Sequence, residues 1–87
     1  MVMIMKFDQI KHHVAAEVRA AIARAGATRQ EVAEAIGMTE ATFSRKANGV
    51  TPFSVVDIVF IAAYLGIDQA SLLPMPEQPV EVVEAAA

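Results

Sequence analysis

The chain has 87 residues, 55% of them hydrophobic and 20% charged, with four glycines and four prolines, a composition that fits one small helical globular domain and excludes a disordered chain. It has no cysteine, which excludes disulfides and thiolate zinc sites and fits an intracellular protein. The formal net charge of −3 hides a division: residues 1–49 carry seven Lys and Arg against five Asp and Glu, while residues 50–87 carry five acids and no base. The resulting balance of +2 in the first half is compatible with DNA binding, but it is a weak field and predicts modest non-specific affinity.

A core of this size is marginal unless the helices pack closely or the chain pairs with a copy of itself, so a homodimer is expected. The longest apolar run, Ile58 to Ile67, is too short to span a bilayer, and the Met-rich start lacks the basic, apolar, small-residue order of a signal peptide. A soluble cytoplasmic protein with no membrane partner is the expectation.

Taken in chain order, residues 1–7 (MVMIMKF) form an apolar arm with no evident partner in the rest of the sequence, either an extended strand or a frayed end. Asp8 is placed to cap a first helix. Its Ile10, Val14, Val18, Ile22 and Ala25 recur at near four-residue intervals as one apolar stripe, and Gly26 closes it. His12 and His13 diverge by about 100° on such a helix, so they do not converge on one metal ion and read as solvated histidines.

Thr28 with Glu31 three residues on has the pattern of a capping box, followed by Val32, Ala33 and Ile36 at helical spacing and by Gly37, a residue that turns left-handed past a helix end. Thr39 is a second N-cap, with Met38 and Phe43 placed for a hydrophobic staple, and Asn48-Gly49 ends the helix that starts there. Two short helices joined by a tight turn are predicted. On the second, Phe43 and Ala47 share one side, while Glu40, Ala41, Ser44, Arg45 and Asn48 occupy an arc of about 140° on another. Such a free face suits a B-DNA major groove: Arg45 can reach guanine O6 and N7, Glu40 can accept from cytosine N4, and Ala41 can meet a thymine methyl.

The stretch TRQEVAEAIGMTEATFSRKANG, residues 28–49, resembles the phage repressor and Cro type (Xre-like) of helix-turn-helix DNA-binding domain, especially actinobacterial-style variants in which Ser-Arg, a basic residue and Asn-Gly or Ser-Gly close the recognition helix. The resemblance runs from about Val14 to Leu73. It implies that Glu40, Ala41, Ser44 and Arg45 face base edges and that Arg29, Thr39, Lys46 and Asn48 lie near phosphates. Arg29 departs from the Gln usual in this family, which changes the contact without removing it. Ala47 replaces a larger residue, which predicts looser packing beneath the recognition helix.

Beyond the motif, Ser54 and Asp57 repeat the cap-plus-acid pattern, with Phe53 and Ile58 as a staple. The run Val55 to Leu65, which includes Tyr64, is apolar nearly all round, so it reads as a central core helix or as one that also forms a dimer surface. Gly66 ends it. Asp68 then caps a last helix, Gln69 to Leu73, stopped by Pro74. Residues 74–87 are an acidic tail in which Pro79 to Glu84 partly alternates like an edge strand, able to pair across a dimer axis or with the N-terminal arm.

The expected architecture is therefore all-α: a five-helix, lambda-repressor-like domain over residues 8–73, flanked by segments that can form short terminal β-strands. No nucleophile elbow, phosphate-cradling Gly loop or metal-ligand spacing accompanies the polar residues, so no enzyme, metal site or cofactor is expected. The function expected is that of a homodimeric transcriptional regulator, a small repressor or Cro-like protein binding a duplex DNA operator. An antitoxin covering a toxin with a terminal segment, or a protein-interaction module that has lost DNA binding, are the alternatives.

Overall fold

Residues 7–74 are described by the structure, a computed structural model. Four α-helices follow one another: α1 (Phe7–Ala25), α2 (Arg29–Ala35), α3 (Glu40–Ala47) and α4 (Val55–Leu65), with a 3-10 turn at Gln69–Leu72. Among the described residues there is no strand, and no helix is long and apolar enough to cross a membrane. The strands expected at the two termini fall outside these residues.

The caps form as their residue types dictate. Thr28 accepts from the Glu31 N–H at 3.1 Å while Glu31 accepts from the Thr28 N–H at 2.9 Å, and Ser54 and Asp57 repeat the exchange at 3.1 and 3.0 Å. Each box satisfies two backbone donors that a helix start leaves open. Asp8 behaves differently from the cap expected of it. Because α1 begins at Phe7, the exposed Asp8 lies inside the first turn, where its charge faces the positive end of the helix and the Lys11 ammonium 3.7 Å away.

The apolar stripe of α1 buries Val14, Val18 and Ile22 together with Ala15 and Ala21, but Ala25 is exposed, since the drift of a 3.6-residue period carries the last position off a strict four-residue row. Val32 and Ala33 of α2, Phe43 and Ala47 of α3, Ile58, Ile61 and Ala62 of α4, and Leu72 close the same core. Met38 and Phe53, both expected as staples, pack against it, and the Phe53 ring meets Phe43 edge-on with centroids 5.7 Å apart.

Two expectations need correction. The fifth helix is a single 3-10 turn, capped by the Asp68 carboxylate on the Ala70 N–H at 2.9 Å. Pro74 follows too soon for an α-helix to propagate, because the residue before a proline is driven into extended backbone; Leu73 has ψ 150°. The second concerns α4. It is not enclosed by core: Ile58, Ile61 and Ala62 are buried, while Val55 is 79% exposed, Phe60 55% and Tyr64 48%.

Candidate nucleic-acid interface

The turn that sets α3 against α2 is short because Gly37 takes φ +74°, which lets the Gly37 and Met38 N–H groups bond back to the Glu34 and Ala33 carbonyls at 3.2 and 2.8 Å. A Cβ at Gly37 would meet nothing within 4 Å, so Gly37→Ala is strained only through its backbone. The expected loss is about 1–2 kcal/mol of stability, measured by urea denaturation.

The first turn of α3 is then fixed by Thr39. Its hydroxyl accepts from the Thr42 N–H at 3.2 Å and donates to the Thr42 hydroxyl at 2.9 Å. Phe43 and Ala47 are fully buried, whereas Glu40, Ala41, Thr42 and Arg45 are exposed and Ser44 is half-buried. Helical spacing brings Glu40, Ala41, Ser44, Arg45 and the exposed Asn48 to one side of α3. Thr42 borders that side and was not singled out from the sequence, where it reads as an ordinary first-turn residue. Arg29 opens α2 half-buried, and Thr39 is exposed at the start of α3.

Three neighbours hold the far end of α3. The Arg19 guanidinium of α1 donates to the Ala47 carbonyl, so the small residue expected to loosen the packing is fully buried beside a clamped backbone group. Lys46 donates to the Asp57 carboxylate at 2.6 Å, both side chains being about five-sixths buried (17% and 15% exposed). Gly49, at φ +80°, lies under the His12 ring, whose Nδ1 would stand 2.5 Å from a Cβ there. Neither Arg19 nor Asp57 carried a sequence signal for this task, because their partners are 28 and 11 residues away. Lys46, expected near phosphate, has its ammonium on Asp57 here.

Burial raises the Asp57 pKa, but hydrogen bonds from Lys46 and the Ser54 N–H, with the charge of Lys46 and the Ser54 hydroxyl, outweigh it and hold this carboxyl below its ordinary 3.8. A group depressed in the folded state stabilises it fully above its unfolded value. That contribution is lost as pH falls through the folded value, so an acid titration by circular dichroism is expected to show wild type losing stability below pH 3.8, with Asp57→Asn lacking that component.

The profile of the helix-turn-helix domain family matches residues 13–73, well over half of the sequence. The chain belongs to the helix-turn-helix domain family. No curated protein sequence matches it. Among solved structures, it is similar to the clp gene regulator ClgR from Corynebacterium glutamicum, with TM-score 0.68 and 24% identity over 71% of this chain and 66% of that one. The chain thus spans just under two thirds of that protein's length. It is also similar to the restriction-modification controller protein C.AhdI from Aeromonas hydrophila (0.66, 19%, 71% and 94%) and to the SOS-response transcriptional repressor LexA from Eubacterium rectale (0.71, 22%, 95% and 88%). At these identities the likeness is one of fold: this helix-turn-helix chain has the fold of transcription regulators, with α2 and α3 as its two motif helices.

Proposed function

We propose that the protein binds duplex DNA sequence-selectively through α3, acts as a homodimeric transcriptional repressor of the phage repressor and Cro kind, and works in the cytoplasm. The observation that carries this reading is the division of α3. Its inner side is locked by Phe43 and Ala47, while Glu40, Ala41 and Arg45 face outward beside a half-buried Ser44. An outward guanidinium, carboxylate, hydroxyl and methyl are the groups that read guanine, cytosine, either base and thymine in a major groove. A dimer would set two such helices in successive grooves about one helical turn apart, on a near-palindromic operator.

The test is a titration against the DNA upstream of the protein's own coding sequence at two salt concentrations, with wild type and Arg45→Ala. Wild type is expected to bind selectively and more weakly at high salt, and the variant to lose roughly 1–3 kcal/mol of discrimination between operator and random duplex. If folded wild type binds no DNA at low salt, the reading is wrong. Equal discrimination by the variant would remove Arg45 from the readout.

A further inference from the structure

The outer side of α4 is unlike any other surface among the described residues. Val56, Val59, Phe60, Ala63 and Tyr64 recur at spacings of three and four, so they form one stripe diametrically opposite the buried Ile58, Ile61 and Ala62. All five are exposed, and Val55 extends the stripe at the helix start. The single charged residue of α4, Asp57, is turned aside onto Lys46. Beside the stripe, Val59 and Ala63 also line an open groove of about 300 Å3 that continues to Ile67, Asp68 and Gln69.

We infer that this stripe is where two copies of the chain meet, α4 against α4 about a two-fold axis. The inference deepens the dimeric reading above, and rests on it, by naming the surface. Three properties select a second copy as the occupant. The stripe offers no charge and only the Tyr64 hydroxyl as a polar group, so a partner must bring an apolar face of similar size without stranding a charge. The chain carries such a face in α4 itself, and a two-fold axis opposes like to like with no repulsion. The apolar side chains expose roughly 500 Å2, so a pair would cover on the order of 1,000 Å2, the lower edge of what a specific interface needs.

The experiment uses the absence of cysteine from the sequence. Full-length protein is measured by sedimentation equilibrium as wild type and as Phe60→Glu, and is oxidised mildly as Ala63→Cys, with Ala23→Cys on the exposed side of α1 as control. Wild type is expected to be a dimer, Phe60→Glu to dissociate at least about tenfold more readily with unchanged helix content, and Ala63→Cys alone to give a disulfide-linked pair. A dimer that survives Phe60→Glu, without a cross-link at Ala63→Cys, would place the interface elsewhere and overturn the surface while leaving the dimer. A wild-type monomer at sub-millimolar concentration would overturn both. DNA binding is scored separately, so a dimer that forms through α4 yet binds no DNA would sink the functional reading and keep this one.

Discussion

Phe43→Ala is expected to remove roughly 3–5 kcal/mol of folding stability, the cost of deleting a buried aromatic ring and leaving a cavity behind. That is comparable with the whole stability of a domain this small, so the variant should be largely unfolded near room temperature. The ring is fully buried, lies in the same core as Val18, Val32, Ile61 and Leu72, and meets Phe53 edge-on. It belongs to α3, so its loss detaches the outward face from the body. Urea denaturation followed by circular dichroism measures the effect. Ala41→Ser, on the exposed side of the same helix, should stay within about 0.5 kcal/mol of wild type. A loss below 1 kcal/mol for Phe43→Ala would mean that α3 does not rest on the core through this ring.

The second large effect is expected at Asp57. Its carboxylate accepts from the Lys46 ammonium and from the Ser54 N–H at once. Asp57→Ala breaks both and leaves Lys46 without its partner, and about 2 kcal/mol of stability should go, since a lost cap costs about 1 and a lost charge-assisted hydrogen bond at a partly exposed site adds a similar amount. The same variant carries a signature that a purely structural role would not. Freed from Asp57, Lys46 becomes available to phosphate, so non-specific DNA affinity should rise and the slope of log affinity against log salt should steepen by about one. An unchanged slope would mean that Lys46 never reaches the duplex.

What the sequence made legible was local. Thr28 with Glu31, Ser54 with Asp57, and Thr39 as the N-cap of α3 each concern atoms within four residues, and all three caps form. The split of α3 into an inward Phe43 and Ala47 and an outward Glu40, Ala41 and Arg45 was legible for the same reason, because helical period alone fixes it. What the sequence withheld depends on packing. The run from Val55 to Leu65 has almost no polar residue, so periodicity could not tell which third of its circumference meets the core, and the positions of α1, α2 and the 3-10 turn decide it. Arg19 on Ala47 and Lys46 on Asp57 are contacts between elements, invisible to spacing. The 3-10 turn in place of a fifth helix follows from Pro74, which reaches one residue back and drives Leu73 into extended backbone.

The two ends of α3 are secured by different devices, Thr39 at the start and Arg19 with Lys46 at the finish. An eight-residue helix on its own would be mostly coil in water, since isolated helices shorter than about 12–15 residues are marginal. Here it is already formed before anything docks on it. A ligand therefore meets a rigid template and bears no ordering entropy for this segment. Calorimetry should accordingly find a heat-capacity change on association that scales with the contact surface alone, without the larger negative value that accompanies a segment folding as it binds.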